Sequence, residues 1–253
     1  MTVIHPSAEP FFFRGRQEAA LLFLHGFGAS PSELFPVASL IHSRSGLTVS
    51  APLLPGHGSV PEELNQTGWT DWFAATEQEI DFLVENYQDV FVAGLSMGGL
   101  LALHAGAMAG GLAGVISINA PIYTNYPVLT ALSPVIRYVR PYFPKRDDPE
   151  RRDMEVKGRF AYPVTPVQAF QRMLQLRDRV VSELSELDLP VLVVQSQQDE
   201  SVHPRSGAFL SRKIENSRLL VLHRSGHIAT MGPEQEILAG EIIDFIDQSV
   251  NDA

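Results

Sequence analysis

"VFVAGLSMGGLLAL", Val90 to Leu103, sets a serine between glycines, behind an apolar run and ahead of a helix-like segment. The run Val90–Leu95 does not alternate between polar and apolar residues, as expected of a strand covered on both faces. Met97–Ala109 follows it directly and is rich in small residues, which suits a closely packed helix. The residues between, "GLSMG", fit G-x-S-x-G, a pattern that means little without a strand before it and a helix after it. Both are predicted here. In such an elbow the chain turns so sharply that side chains at 94 and 98 are expected to collide, which calls for glycine at both. Ser96 would then stand at the carboxyl end of a strand, beside a helix N-terminus that favours negative charge. An ordinary strand–helix turn is the alternative.

Outward from this elbow the same grammar repeats. Apolar strands are predicted at Ala19–Leu24, Thr48–Ala51, Gly114–Asn119, Val191–Gln195 and Arg218–His223. Helices are predicted at Ser32–Ser43, Trp69–Glu85, Thr165–Leu187, Pro204–Lys213 and Glu234–Val250. Strands alternating with helices imply βαβ units and a mostly parallel sheet flanked by helices, an α/β fold. Pro121–Pro166 breaks the alternation. It is rich in proline and tyrosine, carries the run "KRDDPERRD" and has no evident strand, so it is expected to be an insertion. A linker between two domains is the alternative.

A serine hydroxyl is a weak nucleophile and needs a base, itself oriented by an acid. Of eight histidines, His227 is the best placed, because "HRSGHI" directly follows the last apolar strand. His203 is its closest competitor. His25 and His57 lie in loops before the serine, and His25 is expected to shape its loop by hydrogen bonding; His104 falls within a helix. For the acid, Asp199 follows the strand "VLVVQ", with Glu200 next to it. Position favours Asp199. The order Ser96, Asp199, His227 is the nucleophile–acid–base order of one particular fold.

The whole chain sets bounds. It has 253 residues, 45% hydrophobic and 19% charged, which fits a soluble globular protein. A net charge of −10 repels nucleic-acid phosphates and anionic membranes, so neither is an expected partner. Without cysteine there is no disulfide, thiolate metal site or cysteine nucleophile. "MTVIHPSAEPFFFRG" lacks the pattern of a signal peptide, and no run approaches the roughly 18 apolar residues of a membrane helix. A cytoplasmic protein, monomer or homodimer, is expected.

The sequence resembles the α/β-hydrolases, and within them the small bacterial carboxylesterases and monoacylglycerol lipases. The matching pieces are "PFFFRG", "LLFLHGFGASPSE", "APLLPGHGSVPEEL", "TGWTDW", "VAGLSMGG", "VVQSQQDESVHP" and "SGHIAT". The resemblance implies one α/β-hydrolase domain over 1–253, with 121–166 as the family's variable lid. It implies a serine hydrolase of carboxylic esters, with Ser96, Asp199 and His227 as its triad; the shortness of the lid leads us to expect short to medium acyl chains. The backbone N–H groups of Phe27 and Met97 would form the oxyanion hole. No cofactor and no metal are implied, and the partner is a small-molecule ester. One departure is Met231, where the family often carries an aspartate. Hydrolysis of a C–C or thioester bond, and a non-turnover receptor on the same fold, are the alternatives. The lid was expected to turn an apolar face, including Ile122, Tyr123, Tyr126, Leu129, Leu132, Val135, Ile136, Tyr138, Tyr142 and Phe143, to the pocket. Its charged run, Lys145–Asp153, was expected to face water.

Overall fold

The computed structural model describes residues 3–16, 18–145 and 149–251, without the side chains of Leu129 and Arg137. In chain order, β1 (Phe11–Phe13) and β2 (Ala19–Leu24) precede α1 (Phe35–Ser45) and β3 (Thr48–Ala51). Then come α2 (Pro61–Leu64), α3 (Trp69–Asn86), β4 (Asp89–Leu95), α4 (Met97–Met108) and β5 (Leu112–Ile118). The next segment holds α5 (Pro127–Val139), β6 (Tyr142–Pro144), α6 (Pro149–Val156) and β7 (Val164–Pro166). The chain closes with α7 (Val167–Glu183), β8 (Val191–Ser196), α8 (Arg205–Lys213), β9 (Ser217–Leu222) and α9 (Gln235–Asn251).

Seven strands form one sheet in the order β1-β3-β2-β4-β5-β8-β9. Every neighbouring pair is parallel except β1 and β3. All six residues of β2 are buried, which explains its unbroken apolar sequence. Alternate side chains enter two separate cores. Leu22, Leu24, Val90 and Val92 pack with Trp72, Leu101 and Leu176 on one face. Leu21, Phe23, Phe91 and Ala93 pack with Ile41 and Ile242 on the other. Each such valine, leucine, isoleucine or phenylalanine side chain contributes about 1.5–3 kcal/mol by leaving water.

The strand order reverses between β2 and β4. From that point the chain builds outward in opposite directions, so the loops after β2 and β4 part and leave a crevice at the strands' carboxyl ends. The loop after β2 carries His25, Gly26 and Phe27; the turn after β4 carries Ser96.

Three expectations are corrected. The first concerns 121–166, where no strand was expected. β6 and β7 form an antiparallel pair, with Phe143 opposite Thr165. Prolines 141, 144, 163 and 166 mask these strands in sequence, and a two-stranded sheet tolerates them because its outer edges need no donors. The second is the facing of that segment. Ile122 is buried and Ile136 and Phe143 line the cavity as expected, but Leu132, Val135 and Tyr138 are exposed, and Lys145 and Arg151 of the charged run also line the cavity. Residues 146–148 of that run lie outside the described residues, as does the Leu129 side chain. The third concerns Thr165–Leu187: β7 takes up Thr165 and Pro166, and the α-helix stops at Glu183. Among the described residues no helix is long and apolar enough to cross a membrane.

Candidate active site

Ser96 has φ 56° and ψ −114°, a conformation that a residue with a side chain adopts at a cost of about 1–3 kcal/mol. The surroundings impose it. The Ser96 N–H donates to the Ile118 carbonyl at 2.8 Å, and α4 begins at the next residue. A Cβ on Gly94 would lie 2.0 Å from the Gly98 carbonyl, so close packing of strand and helix requires glycine there. A Cβ on Gly98 would lie 2.1 Å from the Leu24 oxygen of β2. The need for glycine at both positions is therefore met, but through clashes with backbone rather than between the two side chains.

The loops bring three sequence-predicted residues together. His227 Nε2 lies 3.0 Å from Ser96 Oγ, and His227 Nδ1 lies 2.8 Å from Asp199 Oδ2. A carboxylate only accepts, so Nδ1 carries the proton and Nε2 presents its lone pair to the serine hydroxyl. Asp199 Oδ1 accepts the Ser201 and Val202 N–H groups at 2.8 and 2.7 Å, which fixes the carboxylate plane. Glu200 does not reach the ring; its Oε2 accepts the His227 backbone N–H at 3.2 Å. Burial lowers the basicity of His227, but the charge and hydrogen bond of Asp199, with Glu200 and Glu33 beyond, outweigh it and raise its pKa above 6.5.

The remaining histidines have other partners. His25 Nδ1 donates to the Gly26 carbonyl at 3.0 Å and Nε2 accepts the Leu54 N–H at 3.1 Å, so it shapes its loop as expected. His57 stands edge-on to it at 4.8 Å. His104 binds the Glu183 carboxylate at 2.6 Å, away from Ser96. His203 Nδ1 accepts the Arg205 N–H.

The Gly26 carbonyl accepts from both His25 and the Ala29 N–H, at 3.0 and 3.3 Å. The peptide is planar and trans, so the Phe27 N–H points to the opposite side. Met97 begins α4, so its N–H has no acceptor one turn back. Among the described residues neither amide has a hydrogen-bond partner. Met231 lies in a short turn after His227, its N–H bonded to the Ile228 carbonyl.

Several supporting residues were not found from sequence. Asn119 has φ 49°, and its amide donates to Ser196 Oγ and to the His227 carbonyl, at 3.0 and 2.8 Å. It ties the ends of β5 and β8 to the histidine loop. Glu234 accepts the N–H groups of His223, Arg224 and Ser225, and the Ser225 hydroxyl. Burial opposes its ionisation, but these donors hold its pKa below the usual carboxylate value.

Glu33 is fully buried; its Oε1 accepts the Gly26 N–H at 2.8 Å, and its Oε2 takes both Arg159 donors at 3.0 and 2.8 Å. That pair joins the loop after β2 to the segment before β7. Removing Arg159 leaves a buried carboxylate unpaired. Arg159→Ala is therefore expected to lower stability by about 3–5 kcal/mol in denaturant titrations. Glu33→Gln added to it should recover most of that loss, since an amide oxygen still accepts the Gly26 N–H. Full stability in the single variant would mean that the pair is not needed.

A cavity of about 980 Å³ opens onto Ser96 and His227. Phe27, Ile136, Met154, Phe170, Met173 and Leu174 are among its lining residues, giving it a largely apolar wall. Ser96, His227 and Asp199 thus form one hydrogen-bonded line at the mouth of this cavity, beside the N–H groups of Phe27 and Met97, unpartnered among the described residues.

The α/β hydrolase family model matches residues 21–239. The chain belongs to the α/β hydrolase family. Among curated relatives of this hydrolase is a thermostable monoacylglycerol lipase of Bacillus sp. strain H-257, 28% identical over 244 residues, 94% of each chain. A carboxylesterase of Bacillus subtilis strain 168 is 27% identical over 252 residues, 98% of this chain and 99% of that one. A solved structure from a study of two metagenome-derived lipolytic enzymes is 30% identical, with a TM-score of 0.87. It covers 97% of this chain and 100% of its own.

Proposed function

We propose that this α/β hydrolase cleaves carboxylic esters of short to medium acyl chain through an acyl-enzyme on Ser96. The observation that carries it is the hydrogen-bonded line Ser96–His227–Asp199, at 3.0 and 2.8 Å, opening on an apolar cavity. Ser96 Oγ attacks the ester carbonyl while His227 Nε2 takes its proton. The carbonyl oxygen becomes an oxyanion and accepts the Phe27 and Met97 N–H groups, which need not reorganise. The tetrahedral intermediate collapses, and His227 gives the proton to the leaving alcohol. Water then attacks the acyl-serine by the same route, with His227 as base. Asp199 holds the Nδ1–H tautomer and offsets the charge of the imidazolium.

The chain is read as one domain, with residues 121–166 as a lid over the acyl slot. Ile136, Phe143 and Met154 of that segment line the cavity, which supports this. The names of the curated relatives favour monoacylglycerols or related esters as substrates.

A rate series over 4-nitrophenyl esters from acetate to palmitate, with monoacylglycerols beside it, tests the reading. Many turnovers per site are expected, where a receptor gives at most a stoichiometric burst. Each added methylene that enters the slot is worth about 0.8 kcal/mol, or roughly fourfold in kcat/KM, until the slot is full. A climb followed by a fall is the expected profile. A flat profile would mean that the cavity does not receive the acyl chain.

A further inference from the structure

We propose that the natural substrate carries an anionic group, a carboxylate or phosphate, and that Lys145 receives it; this rests on the ester-hydrolase reading above. The cavity carries charges of both signs. Glu150 and Glu200 both come within 3.4 Å of the point where a Cβ on Gly226 would stand, next to His227. Lys145 Nζ lies 3.4 Å from the corresponding point on Gly28, two residues beyond Gly26. Lys145 lines the same cavity as Ser96.

The other cations of this lining already have partners. Arg159 binds Glu33, Arg151 binds Glu155 and Arg177 binds Asp178. Glu33, the nearby acid, is taken up by Arg159 and the Gly26 N–H. Among the described residues, the Lys145 ammonium has neither a hydrogen bond nor an ion pair. An ammonium drawn out of water without a counter-ion is costly to keep charged. Burial, then the charges of Arg159 and Arg151, push it down to about 7, against a small opposing effect of Glu33. A substrate oxyanion placed there supplies a partner through a charge-assisted hydrogen bond.

The anion can reside on either half of an ester, and two pairs of substrates separate the cases. One pair is the mono-4-nitrophenyl ester of suberic acid against 4-nitrophenyl octanoate, with the charge on the acyl group. The other is 1-decanoylglycerol 3-phosphate against 1-decanoylglycerol, with the charge on the alcohol. The quantity measured is the ratio of kcat/KM, anionic over neutral, at pH 6.5. It is expected to exceed one in one pair, to fall at least tenfold in Lys145→Gln and to survive in Lys145→Arg. Among the described residues, the charged and titratable groups facing Lys145 are Arg151, Arg159, Glu33 and His57. Lys145 loses its charge on going from pH 6.5 to pH 9, so the wild-type ratio should decline over that range even if Lys145→Gln fails to fold. A ratio at or below one in both pairs, or one unmoved by Lys145→Gln or by pH, overturns the proposal. Turnover of none of the four esters would instead remove the ester-hydrolase reading beneath it.

Discussion

Ser96→Ala is expected to fold and to lose turnover by on the order of 10⁶-fold, the scale on which a hydrolase without its serine falls back on binding and oxyanion stabilisation. The hydroxyl's hydrogen bond is to His227 Nε2, so its loss removes little that holds the fold. An organophosphonate should add to Ser96 in the wild type and to no residue in the variant. Labelling of another serine would sink the assignment. The backbone allows a second readout. Because Ser96 sits at φ 56° and ψ −114°, Ser96→Gly should be equally inactive yet more stable, by about 1 kcal/mol once the flexibility of glycine is set against the relief of strain. Stability gained as activity is lost identifies a conformation kept for chemistry. Equal or lower stability in the glycine variant would mean that the elbow stores no strain.

Why the sequence carried so much of this site, and so little of its support, follows from where each residue sits. Ser96, Asp199 and His227 each come just after an apolar strand, and parallel strands deliver such loops to one end of the sheet. Strand runs are readable locally, so their ends are too. Glu33 and Arg159 are 126 residues apart and meet only once the segment before β7 docks on the loop after β2. No local pattern signals such a pair. Asn119 follows β5 in a left-handed conformation, which an asparagine permits but does not announce. β1 is three residues long, too short for a period to emerge.

The mixed facing of the segment between β5 and α7 has a related cause. Its apolar and charged residues are legible in the spacing, but which of them are covered depends on the surface beneath. The cavity takes Ile136 and Phe143 together with Lys145 and Arg151, while Leu132 and Val135 stay in solvent.

Asp199→Asn should lower kcat by about 10⁴-fold, while Glu200→Gln should cost less than tenfold. The difference lies in what each oxygen touches. Asp199 Oδ1 accepts two backbone N–H groups, from Ser201 and Val202. An asparagine must keep its oxygen on those donors, which turns its NH₂ toward His227 Nδ1. Nδ1 then has to accept, the proton moves to Nε2, and the ring faces Ser96 with a donor where it needs a lone pair. Glu200 only accepts the His227 backbone N–H, a role that a glutamine oxygen can keep. The pH profile gives an independent check. His227 must be neutral to take the serine proton, and its pKa is raised above 6.5, so the acid limb of wild-type kcat/KM should fall above that pH. Burial opposes this rise and Asp199 is the largest contribution in its favour. Asp199→Asn should therefore shift the limb toward acid as the plateau drops, and Glu200→Gln should shift it less in the same direction. If Glu200→Gln proves the crippled variant, or if Asp199→Asn lowers the plateau without moving the limb, Asp199 is not the group that orients and charges the base.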